Sequence, residues 1–162
     1  REDYGLDLDP VYEDPDQYNT QVLEDWFLGS QGKRVGTLFG GVDDFKLMTP
    51  AFDTSFTFSI PSQGLVREGT MEETILFSQR VEERDYYNDY SGGDYDLVTI
   101  ENHLNPDGPH ILLVRDSMAC VVTPFLALDC STLTLVDTRY FTGDVAQLAQ
   151  ELQVDLVLVM RG

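Results

Sequence analysis

The regular alternation of apolar and polar residues provides the clearest strand signal in the chain. Residues 55–60 read Ser-Phe-Thr-Phe-Ser-Ile, the period-two pattern of a half-buried strand, and residues 45–50 precede them in a similar rhythm. Residues 70–84 differ because their apolar positions recur at helical spacing, and Thr70 with Glu73 forms the pattern of a capping box. The pattern therefore predicts two strands followed by a short amphipathic helix.

Continuous apolar runs characterise the last part of the chain. Three strand-sized runs alternate with two helix-like stretches, in the order 111–114, 118–128, 132–136, 144–152 and 155–160. Strand–helix–strand–helix–strand with uninterrupted apolar strands is typical of a parallel sheet that helices cover on both faces, with right-handed connections. Ligands bind such sheets at the carboxyl ends of the strands, so the candidate chemistry is expected there.

The chain of 162 residues suits one domain. Its three regions differ in acidic content and in hydrophobic pattern. Residues 1–25 are dense in acidic residues and interrupted by Pro10 and Pro15, which predicts an irregular or turn-rich surface segment. Residues 26–96 read as β-rich, and residues 97–162 form the parallel α/β segment. We therefore predict one α/β domain, a parallel sheet flanked by helices with a β-rich segment inserted or appended.

The charge balance excludes some classes of partner. The chain has 29 acidic and 10 basic residues, a formal net charge of −19, whereas nucleic-acid binders neutralise phosphates with cations. The same charge disfavours an anionic membrane surface, and no apolar run approaches the roughly 18–20 residues that span a bilayer. We predict no nucleic-acid partner and no membrane insertion.

The opening residues Arg-Glu-Asp-Tyr lack the pattern of a signal peptide, so we expect a mature or trimmed chain.

Few residues are suited to metal binding or acid–base chemistry. The chain contains two cysteines, Cys120 and Cys130, and two histidines, His103 and His110. Two cysteines fit neither a disulfide-built small domain nor a four-cysteine zinc site. We therefore predict no metal and no other cofactor.

Ser117 is the candidate nucleophile. With Asp116, it directly follows the first apolar run, so its hydroxyl should lie at the sheet edge. Backbone N–H groups at that edge could stabilise an oxyanion. The alternative is that Ser117 simply caps the helix. A nucleophilic serine needs a base. His110 lies roughly 23 Å away at the other end of the strand, and His103 fits a solvated loop. Either Ser117 is not catalytic, or its base lies outside this chain.

Other residues could line a binding site. Asp116, Asp137 and Arg139 are candidate substrate-binding residues at the same edge. For Asp137 and Arg139, which end the second apolar run, an internal ion pair that shapes the pocket competes with a direct catalytic role. The basic, glycine-rich stretch 29–34 could bind a substrate carboxylate or sugar acid, or could be a turn whose cations pair with nearby acids. Its candidate substrate-binding residues are Gly29, Ser30, Lys33 and Arg34. Four tyrosines near the glycine pair 92–93 could stack on sugar rings; they are Tyr86, Tyr87, Tyr90 and Tyr95.

Several blocks of the sequence, in the right order, resemble the DHHW protein family. They are Ile-Leu-Leu-Val-Arg-Asp-Ser-Met at 111–118, Thr-Pro-Phe-Leu at 123–126, Val-Asp-Thr-Arg-Tyr-Phe at 136–141, Phe-Leu-Gly-Ser-Gln-Gly-Lys-Arg-Val-Gly at 27–36 and Gly-Val-Asp-Asp-Phe at 41–45. These bacterial surface or secreted proteins have an SGNH-hydrolase-like domain and are similar to alginate O-acetylation proteins. The resemblance implies an esterase or O-acetyltransferase that acts on polysaccharide acetyl groups outside the cell, with Ser117 as nucleophile.

The chain departs from the family pattern at several points. The Asp-His-His-Trp motif that should supply acid and base is absent, and the single tryptophan is Trp26; we expect the chain to begin just after that motif, so that the SGNH-like domain is incomplete at its N-terminus. Arg115 stands where such enzymes often have glycine, and Cys120 where asparagine is frequent. The alternative is a non-catalytic carbohydrate-binding or scaffolding protein of the cell envelope.

Overall fold

The computed structural model describes residues 9–27, 41–76, 90 and 93–161. Its strands are β1 Tyr18–Phe27, β2 Asp43–Pro50, β3 Phe56–Ile60, β4 Leu65–Gly69, β5 Leu97–Asn102, β6 His110–Arg115, β7 Thr132–Asp137 and β8 Leu156–Met160. Its α-helices are α1 Met71–Thr74, α2 Thr123–Leu128 and α3 Val145–Leu152, and its 3-10 helices are Pro10–Glu13, Pro15–Gln17, Pro61–Gln63 and Ser117–Val122. No helix in these described ranges has both the length and the apolar character needed to cross a membrane.

A six-stranded mixed sheet organises the molecule, with the strand order β4-β3-β5-β7-β6-β8. Strand β6 pairs in parallel with β7 on one side and β8 on the other, which confirms three parallel strands separated by helices in the last part of the chain. The parallel arrangement is limited to these three strands, and the sheet as a whole is mixed. Strands β3, β4 and β5 are antiparallel, and β5 joins them to β7 through the register Leu97↔Val136. Strands β3 and β4 of the β-rich segment, joined through β5, therefore extend the parallel sheet as part of the same layer.

Helices cover opposite faces of the parallel strands. Ile111 and Leu113 of β6 share one apolar cluster with Leu128 of α2. Leu112 of the same strand lies in a second cluster with Leu148 of α3. Because β6 is covered on both faces, all its central positions must be apolar, which explains the uninterrupted run in the sequence.

The N-terminal acidic segment contains a strand where an irregular structure was expected. Residues 9–17 do form two 3-10 turns, which begin at Pro10 and Pro15 and are capped by Asp9 and Asp14. Residues 18–25, however, belong to β1, which pairs antiparallel with β2 in a separate two-stranded sheet. The acidic residues concealed this strand because most of β1 is exposed, so burial imposes no clear alternation on its sequence.

The predicted helix over 70–84 begins where expected. Thr70 and Glu73 form the predicted capping box: the Thr70 hydroxyl accepts from the Glu73 amide at 3.4 Å and the Glu73 carboxylate accepts from the Thr70 amide at 2.9 Å. The α-helix proper is the single turn Met71–Thr74. The helix ends there, with Ile75 as its C-cap, so it is shorter than predicted; residues 77–84 lie outside the described residues.

Replacing Phe58 tests whether the antiparallel and parallel strands share one core. Phe58 on β3 is 1% exposed and packs in the cluster that includes Leu113 of β6. Phe58→Ala should therefore lower the free energy of unfolding by about 3–5 kcal/mol while urea unfolding stays one cooperative transition, measured by circular dichroism and fluorescence. Val66→Ala on β4, where the side chain is 61% exposed, should change it by less than about 0.5 kcal/mol. Two separate transitions would contradict a shared core.

Candidate active site at the carboxyl ends of two strands

The chain reverses its side of the sheet between two neighbouring strands. The connection after β6 packs on one face and the connection after β7 packs on the other, so both leave from the same carboxyl edge of the sheet, where ligands of parallel sheets bind. We call this edge, from Asp116–Ser117 to Asp137–Arg139, the crevice. Arg115 and Asp137 are register partners at that edge, and Asp116–Ser117 and Arg139 follow them.

Ser117 lies at the start of the turn that leaves β6. It is the first residue of the 3-10 helix Ser117–Val122 and is partly buried. The cap of that helix is Asp116, whose Oδ1 accepts from the Met118 amide at 2.8 Å. The alternative that Ser117 caps the helix was therefore wrong, because Asp116 provides the cap.

Asp116 also engages the nearest candidates for oxyanion donors. The Met118 amide donates to the Asp116 carboxylate, and the Ala119 amide donates to the Asp116 carbonyl at 3.3 Å. These two amides are thus already occupied in this conformation. The amide of Ser117 itself is the nearest remaining backbone candidate.

Arg115 is the residue at this edge whose structural role the sequence did not reveal. Its side chain is fully buried, and its Nη1 donates to Asp94 Oδ1 at 3.3 Å and to Cys120 Sγ at 3.0 Å. Its Nη2 donates to the Gly93 carbonyl at 3.0 Å. The available signal was a cation that ends an otherwise apolar run, since a buried guanidinium requires partners. Arg115 thereby ties the residues before β5 to the turn that carries Ser117.

Arg139 extends this network to the end of β7. Its Nη2 lies 3.0 Å from Asp94 Oδ1, and its Nε donates to Asp137 Oδ1 at 2.9 Å. Asp137 is fully buried, whereas the Arg139 side chain is 40% exposed. The predicted Asp–Arg pair is therefore present, although its role in binding stays a prediction. Together with Arg115, the four residues form a charge-balanced cluster.

The cluster keeps Asp137 ionised. Burial alone would raise the pKa of Asp137, but the hydrogen bonds and positive charge of Arg139, with a contribution from Arg115, hold that pKa below its usual value. The hydrogen bond with Asp137 in turn raises the pKa of Arg139. An ionised carboxylate engaged in this way is poorly suited to act as a general acid or base near neutral pH.

Both histidines of the chain lie at the opposite edge of the sheet from Ser117. His110 begins β6, and its Nε2 lies 2.9 Å from Thr134 Oγ1. His103 follows β5, which runs antiparallel to β7, and its Nε2 lies 2.8 Å from Thr57 Oγ1. Neither ring can reach the Ser117 hydroxyl, so neither is its base.

The remaining candidates divide between the described and undescribed residues. Gly29, Ser30, Lys33, Arg34, Tyr86 and Tyr87 lie outside the described residues, and their roles stay predictions. Tyr90 is buried: its hydroxyl accepts from the Met48 amide at 3.0 Å and donates to the Lys46 carbonyl at 3.1 Å, so it anchors β2. Tyr140 is 52% exposed, with the Arg139 guanidinium 5.2 Å from its ring centre.

Solved structures show where this fold occurs. The chain matches no family model and no curated protein. It is similar to a DHHW family protein from Eubacterium siraeum, with a TM-score of 0.72 and 19% identity over 99% of this chain and 51% of that one. It is also similar to Bacillus cereus PatB1 with a sulfonyl adduct, with a TM-score of 0.64 and 22% identity over 92% and 48%. The chain thus spans about half the length of these structures and shares their fold.

The pH dependence of stability tests the ion pair of the cluster. Because the pKa of Asp137 is depressed on folding, its charge stabilises the protein above the unfolded pKa of about 4, and this contribution is lost as the pH falls through the folded value. Asp137→Asn should lower the free energy of unfolding by about 1.5–3 kcal/mol at pH 7 and by clearly less at pH 3, measured by urea denaturation. Asp107→Asn, an exposed turn position, is the control. An equal loss at both pH values for Asp137→Asn would contradict the assignment.

Proposed function

We propose that this chain carries the nucleophile of an SGNH-like esterase or O-acetyltransferase that acts on polysaccharide acetyl groups. The observation that supports this most is the position of Ser117, directly after a central parallel strand and at the carboxyl edge of the sheet, where ligands of parallel sheets bind. An acyl-ester substrate requires a nucleophile that is accessible at such an edge. The fold shared with the solved DHHW protein over 99% of this chain is consistent with that role.

The chemistry that we propose is acyl transfer through a covalent intermediate. The Ser117 Oγ attacks the ester carbonyl while its proton passes to a base, and the carbonyl electrons form an oxyanion. Collapse of the oxyanion breaks the bond to the sugar oxygen, which leaves with a proton returned by the same base. Water then releases acetate from the acyl-serine, or a second sugar hydroxyl accepts the acetyl group.

The base must come from outside the described site. Both histidines lie at the other sheet edge, and the Asp137 carboxylate accepts a hydrogen bond from Arg139. The resemblance to the DHHW family implies that an Asp-His-His-Trp motif supplies acid and base. A relative by fold, Bacillus cereus PatB1, has been solved with a sulfonyl adduct, and a sulfonyl group attaches to a nucleophile. We also propose that the protein functions outside the cell.

A second candidate function is non-catalytic binding of carbohydrate, or a scaffolding role in the cell envelope. The observation that favours it is the occupation of the Met118 and Ala119 amides by Asp116, which leaves few donors for an oxyanion. Under this interpretation Ser117 is a surface hydroxyl, and the exposed ring of Tyr140 could contact a sugar.

Hydrolysis of p-nitrophenyl acetate distinguishes the two candidates. The 162-residue chain should be nearly inactive because a serine without a base retains about 10³–10⁴-fold acceleration over water at most. A longer chain that includes an upstream Asp-His motif should be faster by several orders of magnitude, and Ser117→Ala should abolish the gain. Ser131→Ala, at the opposite end of the sheet, should not. Labelling by a fluorophosphonate probe should follow the same order.

Two results would overturn parts of this proposal. If the 162-residue chain is already as fast as the longer one, the base lies within these residues and the assignment of His103 and His110 is wrong. If the longer chain is no faster than its Ser117→Ala variant, the enzyme proposal fails and carbohydrate binding takes its place.

A further inference from the structure

Strand β8 forms one edge of the six-stranded sheet, and its sequence is apolar throughout. It reads Leu-Val-Leu-Val-Met at 156–160, and among the residues that the structure describes it pairs with β6 alone. Edge strands of soluble proteins are usually guarded by charged side chains, because their outer backbone groups accept further strands. The opposite edge strand, β4, carries Arg67 and Glu68, whereas β8 carries no charge. The β8 edge is therefore a place where another strand can add.

The outer part of β8 exposes apolar side chains. Val157 is 43% exposed, Val159 68% and Met160 40%. Val157 is the register partner of Leu112 on β6, which packs against α3, so Val157 and Val159 lie on the α3 face of the sheet. Exposed apolar side chains that adjoin one another in this way are typical of an interaction surface.

The backbone of β8 turns the polar groups of its two valines outward. The Met160 carbonyl accepts from the Asp116 amide at 3.4 Å, so Met160 turns its backbone groups towards β6. Because successive residues of a strand turn these groups to opposite sides, those of Val157 and Val159 face the outer edge. An added strand would bond to these donors and acceptors.

Opposite charges flank the apolar segment. Asp155 directly precedes β8 and Arg161 directly follows it, and both are exposed. The Asp155 carboxylate accepts from the His110 amide at 2.8 Å, and the Arg161 guanidinium contacts the Thr138 hydroxyl; neither contact neutralises the charge. If two copies pair antiparallel about Leu158, Asp155 of each copy stands opposite Arg161 of the other. The segment is thus complementary to itself in charge.

We propose that the β8 edge binds a second copy of this chain, through an antiparallel β8–β8 pair with its two-fold axis at Leu158. This register places Val157 opposite Val159 of the second copy, so the exposed valines cover one another twice. Their outward backbone groups form hydrogen bonds between the copies, as in other cases of strand addition. Asp155 and Arg161 form an ion pair at each end.

The net charge of −19 opposes this association. Salt screens repulsion between distant charges much more than it weakens contacts at an interface. The dimer is therefore expected at physiological salt and should weaken at low salt. This inference is independent of the proposed acyl chemistry.

A charge exchange tests the register on the 162-residue chain. Sedimentation velocity at physiological salt should show a dimer that grows with protein concentration. Arg161→Asp places like charges opposite each other and should raise the dimer dissociation constant about tenfold or more. Asp155→Arg combined with Arg161→Asp restores opposite charges and should recover most of that loss. Asp107→Arg combined with Arg161→Asp has the same net charge, but Asp107 is an exposed turn residue, so this variant should not recover it.

Substitutions on the two edge strands test the location of the contact. Val159→Asp should raise the dissociation constant by about a hundredfold or more, whereas Val66→Asp on β4, at a position 61% exposed, should change it less than about twofold. Circular dichroism should show both variants folded, because both side chains are exposed. In the unsubstituted chain, the amides of Val157 and Val159 should exchange more slowly as the protein concentration rises.

Four results would overturn the proposal. They are a monomer at every concentration, equal dissociation constants for the two double variants, a dimer that Val159→Asp leaves intact, and a longer form of the protein that stays monomeric while the 162-residue chain dimerises. The last result would mean that another segment of the same protein, and not a second copy, occupies the β8 edge.

Discussion

The burial of the Arg115 guanidinium is the constraint on which the crevice depends. A cation removed from water is costly unless partners surround it, and the side chain of Arg115 is completely buried. Its partners are Asp94, Gly93, the Asp116 carbonyl and Cys120. These groups come from the approach to β5 and from the turn after β6, so one guanidinium holds together two walls of the site.

The same cluster limits which residues can do chemistry. Asp94 contacts both Arg115 and Arg139, and Arg139 binds Asp137, so two cations and two carboxylates neutralise one another, while the buried Arg115 Nε has no hydrogen-bond partner among the described residues. These charges shape the crevice and have little capacity left for proton transfer. In the proposed function Ser117 is the nucleophile that this cluster leaves unengaged, so the acid and the base would have to come from outside the described site.

Hydrophobic patterns within single segments predicted those strands whose burial is visible in their own sequence. Strand β6 is covered on both faces, so its uninterrupted apolar run signalled a buried parallel strand, and the length of that strand alone placed His110 far from Ser117. Strand β5 alternates buried and partly exposed residues, but nothing local indicates that it pairs with β7, so the mixed sheet was missed. The partner of Arg115 was also hidden, because Asp94 lies 21 residues earlier in the chain.

Native-state amide exchange in an Arg115→Met variant, measured by NMR, tests most directly whether this guanidinium holds the site together. Methionine keeps an unbranched side chain but removes the charge and the donors. The account predicts that the amides of Met118, Ala119 and Asp137, which are hydrogen-bonded at the crevice, exchange at least about tenfold faster. The amides of Asn102 and Ser131, hydrogen-bonded at the opposite edge, should change much less. Unchanged protection at the crevice, or an equal loss at both edges, would contradict the account.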